Sequence, residues 1–407
     1  MAHPLGWTYR AILWCHIIFK IIGLAPISLH DRSLKNTRTI SFGRSKSGIF
    51  YNAFLSILLI ASSFITLPRL YNTPYANKSI IMAIIEMGQA TLGNVIIITI
   101  LLCYVFRWYI LKKISNYLVQ IGGRMQIFSR EPINMYRAIW NLSAIYIVQT
   151  IMCVGLVVTE ELAFFNGPLG WAMDILPSAF AINTLFQYFL VISLMNINFT
   201  RVNEALQGIC RSSSTDLKSL NRCRRVFVNC SVIQSLRYLR NIYDDLCEVA
   251  DEVSRFYSFP TLLVVIFIFY SLLFNAYYIL QPLSGDDMDF ELFSVINGAL
   301  FIVYFIYPLS LLTAKVTEIL NEIERTGVIV HSLLQNTIDR KTKAELKQFS
   351  LQLLHRQIKF TASDYCNLDN TLFQSVVSSV ITYLVILIQF QMQNKSSYDC
   401  QCDCSVT

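Results

Sequence analysis

Long, nearly uncharged hydrophobic stretches recur along the chain, separated by segments in which Lys and Arg collect. Seven stretches, near 48–67, 80–106, 138–158, 172–196, 261–281, 292–314 and 372–390, are the candidates for spans. Each can cross about 30 Å of hydrocarbon at about 1.5 Å per helical residue. A bilayer offers stray peptide groups no hydrogen-bond partners, so runs of this length predict helices. The expected fold is an all-α membrane protein of seven transmembrane helices. The apolar run at 11–24 is shorter and is broken by His16 and Lys20, so it is not counted as a span and no cleavable leader is expected.

Two polar connections are long, at roughly 60 residues, a length that usually carries structure of its own. In 197–258, Leu217, Leu220, Arg224, Phe227 and Val228 recur at helical spacing, followed by Leu236, Leu239, Ile242 and Leu246. In 315–358 the same spacing links Val316, Ile319, Leu320 and Ile323, then Leu346, Phe349, Leu353 and Leu354. These segments predict helices that prolong the spans and pack together, within a subunit or between subunits. The chain divides into a six-helix region (1–314), a helical anchor segment (315–371), a seventh helix (372–390) and a Cys-containing tail (391–407).

Composition agrees: 54% of residues are hydrophobic, 14% are charged, and the mean hydropathy is +0.49. Soluble domains carry about a quarter charged residues. The net charge of +7 matters through its placement. Of the 33 Lys and Arg, 30 fall in the amino tail and in the second, fourth and sixth loops. By the positive-inside rule those segments are cytosolic, the amino end is inside and the carboxyl end outside, in the plasma membrane. The opposite side is acidic, with Glu160, Glu161, Asp286, Asp287, Asp289 and Glu291. The basic surplus is thus a topology signal and not a nucleic-acid site. This orientation is inverted relative to G-protein-coupled receptors, whose Asp-Arg-Tyr and Asn-Pro-x-x-Tyr motifs are also missing.

The seventh span carries a polar stripe at three-to-four spacing: Gln374 or Ser375, Ser378 or Ser379, Thr382, Gln389 and Gln393, interrupted by Ile386. Val377, Leu384, Leu387 and Ile388 lie opposite. A polar stripe facing lipid is costly, so it faces protein or water. Helix–helix hydrogen bonding and a water-filled path both satisfy that requirement.

Within the same span, Thr382-Tyr383, five hydrophobic residues and Gln389-Phe390 match the motif that ends insect gustatory receptors. The chain resembles that family in length, span number, inverted topology and long fourth and sixth loops. The resemblance implies a tetrameric ligand-gated cation channel related to insect odorant receptors, with the seventh helix lining the pore and cytosolic helix ends forming an inter-subunit anchor. Gln389 would then form a ring of amides, Ile386 and Phe390 a hydrophobic constriction, and Thr382 and Ser379 the path below. Tyr383 is expected to pack against neighbouring spans. The tail with Cys400, Cys402 and Cys404 departs from the family pattern.

The resemblance also implies a pocket for a small tastant, a sugar or a bitter compound, between the outer halves of the second to sixth helices. On that basis Glu86 and Gln89 come from the second span, Gln149, Thr150 and Thr159 from the third, and Trp171, Asp174, Phe180 and Asn183 from the fourth. Asn275, Tyr277, Tyr278 and Gln281 close the fifth, and Ser294, Asn297 and Tyr304 open the sixth. Glu86 is the only acid expected well inside a span; the alternative is a purely structural carboxyl. The five histidines are far apart and no catalytic, metal or nucleotide motif occurs, so no enzyme activity, metal or cofactor is expected. The expected partners are the tastant, permeating cations, the lipid bilayer and further subunits, as a homotetramer or with related receptors. An auxiliary subunit of a heteromer is an alternative. A secondary transporter is a weaker one, since neither internal repeats nor paired broken spans occur.

Overall fold

One helix is buried on almost every side, and the rest of the architecture is arranged around it. In a computed structural model, residues 4–34, 37–72, 80–125, 133–164, 171, 174–216, 222–280, 292–336 and 339–403 are described. The chain runs α1 (Pro4–Ile22), β1 (Ile27–Leu34), β2 (Thr37–Arg44), α2 (Lys46–Asn72), α3 (Ile80–Phe106), α4 (Trp108–Met125), α5 (Ile133–Phe164) and α6 (Ile175–Asp216). It continues through α7 (Arg222–Leu280), α8 (Leu292–Asn336), α9 (Arg340–His355), β3 (Thr361–Ala362), β4 (Cys366–Asn367) and α10 (Asn370–Asp403).

Seven of these helices, α2, α3, α5, α6, α7, α8 and α10, are long and apolar enough to cross a membrane. They coincide with the seven expected stretches. Their ends do not: α7 and α8 run unbroken from their apolar halves into the long polar segments, as the helical periodicity there predicts. α10 continues to Asp403, so the backbone of the expected tail is helical for most of its length.

α6 is the central helix, with 78% of its apolar window buried, against 17% for α5 and for α10. Its aromatic residues explain part of this. Tyr188 stacks on Tyr257 of α7 at 4.5 Å and 6°, and Phe199 meets Tyr243 edge-on at 5.6 Å. Helices in lipid gain little from apolar burial against one another, so close packing and hydrogen bonds decide their neighbours. The polar residues of α6 find such partners. Asn196 donates to Glu318 of α8 at 2.8 Å, and Asn203 donates to both the carbonyl and the carboxylate of Glu322 at 2.8 and 2.9 Å. Thr326 donates back to Asn203 at 2.7 Å.

The amino-terminal apolar run, as expected not one of the seven spans, forms a shorter helix. α1 packs on α5 and α6 and ends at Gly23, which sits at φ +95°. A β-carbon there would meet Leu101 at 2.8 Å and Asn52 at 2.9 Å, so glycine is required for both its conformation and its size. Leu24 beyond it is fully buried. His16 and Lys20 both lie within this helix, and His16 packs edge-on against Phe42 of the β1–β2 hairpin at 5.9 Å.

At the charged end of the bundle, ion pairs join the helical extensions. Lys113 of α4 reaches Glu248 and Glu252 of α7 at 2.9 and 3.1 Å. Arg240 of α7 meets Glu345 of α9 at 3.1 Å, in the least exposed of these pairs. The chain then returns through a strap, residues 356–369, whose β3–β4 hairpin turns at Ser363 and Asp364 in the left-handed region. Ser258 accepts from the Ser363 backbone at 2.6 Å and Ser254 donates to the Lys359 carbonyl at 2.9 Å, fixing the strap to α7. Asp369 then accepts from the Thr371 backbone at 3.0 Å, an N-terminal cap for α10.

Candidate pore helix and ligand pocket

α10 packs on α7 and α8 through Leu372 and Val376, with Phe373 and Val380 beside them. Tyr383 meets Phe269 of α7 edge-on at 5.9 Å, in keeping with its expected packing role. The face turned away from the bundle carries Gln374, Ser375, Ser378, Thr382 and Gln389 together with Ile381, Val385 and Ile386, all exposed, while Ser379 is half-buried at its edge. At 100° per residue, Ser378, Gln389 and Thr382 occupy the middle of that face. Ser375 and Thr382 return their hydroxyl protons to the carbonyls one turn back, Thr371 and Ser378, at 2.8 and 2.9 Å. The polar stripe therefore has no partner helix among the described residues of its own chain. The side chain of Phe390, like those of Cys400 and Cys402 and all of Cys404, lies outside the described residues.

At the other end of the bundle from the ion pairs, several of the expected pocket residues come together. Asn297 of α8 donates to Glu160 of α5 at 2.6 Å and accepts from Thr159 at 3.0 Å. Asp174, half-buried just ahead of α6, has Glu160 and Glu86 within electrostatic reach. Gln89, one turn from Glu86, is buried and its carbonyl oxygen has no hydrogen-bond partner among the described residues. The indole N–H of Trp171 is enclosed and likewise has none among them. Tyr278 lies against Phe164 and Phe274 with ring centroids 6.0 and 6.3 Å apart.

Deeper in the bundle, Tyr146 donates to Asn183 at 3.0 Å, and Asn183 donates to the Ala179 carbonyl at 2.7 Å. Asn275 is spent on the Ser271 carbonyl at 2.8 Å. Phe180 and Tyr304 are buried in the core. Thr150 stands apart from all of these: it is exposed on the outward face of α5, with its hydroxyl bound to the Tyr146 carbonyl at 2.9 Å.

Glu160 is the residue that sequence reasoning misplaced. Hydropathy ended the third span at 158 and left Glu160 in a loop, but α5 continues to Phe164 and buries it. The available signal was Asn297, a polar residue in an apolar span that needed a partner from a neighbouring helix.

Three comparisons bear on this arrangement. Residues 14–394 match the family model described as 7tm chemosensory receptor. Among curated proteins, the putative gustatory receptor 28b of Drosophila melanogaster is 30% identical over 228 residues, covering 52% of this chain and 47% of that protein. The Drosophila gustatory receptor for bitter taste 66a is 24% identical over 171 residues, covering 40% of this chain and 31% of that protein. The chain thus spans about half or less of the length of these two curated relatives. The solved structure of the olfactory receptor OR5 from the insect Machilis hrabei superposes with a TM-score of 0.64 at 13% identity, covering 95% of this chain and 100% of that one. Its complex with eugenol gives a TM-score of 0.61 at 14% identity, covering 95% and 99%. At such identities the likeness is one of fold. The family model covers most of the chain, and the protein, a multi-pass membrane protein of seven apolar helices, belongs to the 7tm chemosensory receptor family.

Proposed function

We infer that the protein is a gustatory receptor of the plasma membrane that acts as a ligand-gated, non-selective cation channel. Its amino end is cytosolic and its carboxyl end extracellular. Four copies assemble through the helical extensions and α9, with α10 of each lining a central pore. The observation that carries this reading is the row of polar side chains on α10, which points away from its own bundle with no partner helix among the described residues of its own chain. In a single subunit that face would meet lipid at a cost; around a shared axis it lines water.

In the pore, four Gln389 amides replace part of an ion's hydration shell. Ile386 and Phe390, one turn apart, form a constriction that closes by excluding water. Thr382 and Ser379 line the path on the cytosolic side of it.

The tastant, a sugar or a bitter compound, binds at the outer end of the bundle. Glu86, Glu160, Asp174 and the free Gln89 carbonyl there are acceptors, suited to the hydroxyls of a polyol or the N–H of an amine. Trp171, Phe180 and Tyr278 supply ring faces, and Asn183, Asn275, Asn297 and Tyr304 complete the helices around them. The eugenol complex of the Machilis receptor supports a small organic molecule as the ligand class. Whole-cell recording from cells expressing this chain alone tests the reading. Tastant-evoked cation current is the expected result; silence at normal surface expression overturns a homomeric channel and favours an auxiliary subunit.

A further inference from the structure

Four cations collect where the charged end of the bundle gives way to its apolar shell. α3 ends at Phe106, and Arg107 follows it into the turn that starts α4. The Arg107 guanidinium donates to the Arg255 carbonyl of α7 at 3.2 Å. Ser254, next to Arg255, holds the Lys359 carbonyl of the strap at 2.9 Å. On the other side of Arg107, Arg44 at the end of β2 lies over the Trp108 ring, 5.2 Å from its centroid. Contact and chain adjacency thus link Arg44, Arg107, Arg255 and Lys359, from four separate segments, along one stretch of the molecule. Arg44, Arg255 and Lys359 are exposed and Arg107 is half-buried.

These charges are short of counter-charge. Elsewhere at this end cations are matched: Lys113, Arg124, Arg240 and Arg356 each reach a carboxylate. None of the four makes an ion pair among the described residues. Asp251, one turn before Arg255, feels its charge but touches Arg356, at 3.6 Å. Glu252 is taken by Lys113 at 3.1 Å. A cluster of like charges repels itself, so its natural complement is an anion from outside the chain.

The apolar neighbours point to the source of that anion. Phe259, one turn after Arg255 on the same face of α7, is 39% exposed, and Ile266 continues that face. On α3, Leu102 and Phe106 are exposed just before Arg107, and Tyr109 just after it. Exposed apolar side chains on membrane-spanning helices lie in lipid, and these cations stand at their margin. An anion that fits there carries an acyl body beside its charge. Arginine offers a planar fork that matches phosphate oxygens two at a time, and basic pockets between spans suit phosphorylated headgroups.

We propose that Arg44, Arg107, Arg255 and Lys359 bind a phospholipid whose headgroup is multiply charged and bears phosphomonoesters. The phosphates lie among the four cations, and the acyl chains run along Phe106 and Phe259. A singly charged headgroup would leave most of the cluster unanswered. The site rests on the channel reading for one thing only, the placing of this end at the cytosolic leaflet.

The test titrates the full chain in detergent with dioleoyl phosphatidylinositol 4,5-bisphosphate and with dioleoyl phosphatidylserine, counting bound lipid by native mass spectrometry. The wild type should bind the bisphosphate lipid more tightly by about tenfold or more. Arg255→Gln with Lys359→Gln removes two cations whose side chains make no hydrogen bond or ion pair among the described residues. That double variant should weaken binding by about tenfold to thirtyfold. Lys343→Gln with Lys347→Gln loses the same charge from exposed positions on α9 and should stay within about twofold of wild type. Thermal unfolding confirms that both double variants fold. Free inositol 1,4,5-trisphosphate, without acyl chains, should compete only at much higher concentration. Equal loss in the two double variants overturns the site, as does no loss in Arg255→Gln with Lys359→Gln, or wild type that binds neither lipid. Competition by the free headgroup at the lipid's own concentration overturns the lipid in favour of a soluble phosphate. No current is read, so silence in whole-cell recording removes the channel and not this site.

Discussion

Gln187, on the central helix, donates its side-chain amide to the main-chain carbonyl of Leu24 at 2.9 Å, joining positions 163 residues apart. The same side chain accepts from the Tyr104 hydroxyl, so one amide ties α1, α3 and α6 together. Replacing it with Leu leaves a buried carbonyl and a buried hydroxyl unpaired. Gln187→Leu should cost about 2 kcal/mol, within the range for orphaned buried groups. Thermal unfolding of the purified protein checks this, and an unchanged transition would show the junction to be incidental.

Gly23 supports the same junction from the backbone side. Gly23→Ala adds a β-carbon at a positive φ and against Leu101 and Asn52. The expected loss is about 1–3 kcal/mol, with lower yield of folded protein at the cell surface. Wild-type yield and stability in this variant would contradict the close approach described here.

Asp339 caps α9, accepting from the Thr342 backbone at 3.0 Å and the Thr342 hydroxyl at 2.7 Å. These hydrogen bonds hold its carboxyl below the usual carboxylate range. A lowered folded value means that the unfolded chain binds the proton more readily. The stabilisation is therefore present above the ordinary carboxylate value and lost as pH falls through the lowered one. Asp339→Ala should destabilise the protein by about 1 kcal/mol near neutrality and by less in acid. Unfolding curves of both proteins across pH supply the measurement; a gap that widens in acid would refute the sign.

Asn297 holds Glu160 and Thr159 together, so Asn297→Leu removes a hydrogen-bond donor from a buried carboxyl. Under the proposed function this variant should shift the tastant dose–response to higher concentration by about tenfold or more while reaching the surface. Glu86→Gln should shift it too, through the same acid group. Two variants with wild-type responses to every agonist would remove the acid-lined end from the ligand site.

In the proposed pore, Gln389→Ala should change conductance or the sodium-to-potassium permeability ratio, and Ile386→Ala should raise current without tastant. Single-channel and reversal-potential recordings read both. Unchanged currents from Gln389→Ala at normal surface expression would sink the assignment of α10 to the pore.

Much of this was legible in the sequence, and the misses have physical causes. Span existence follows from hydropathy alone, because lipid leaves a long apolar run no other structure. The extents of α7 and α8 followed from helical periodicity in polar segments. Glu160 was missed because hydropathy locates the edge of an apolar window and not the end of a helix; α5 runs past that edge to Phe164, and Asn297 donates to Glu160 there. α1 was left without an assigned structure because its burial comes from contacts with α5 and α6, and its stop from a Gly23 conformation that residue type only hints at. Thr150 was grouped with the pocket because sequence order gave its depth along α5 and not which side it faces.

The strap between α9 and α10 leaves little slack. It is fastened to α7 at Ser254 and Ser258, just before the proline at 260, and Leu368 is packed away two residues before α10 begins. α7 is one unbroken helix from there to Asn275 and Tyr278. Push or tilt one end of that rod and the root of α10 travels with it. Under the proposed function, sensing and opening would then need no messenger between them, only one continuous rod.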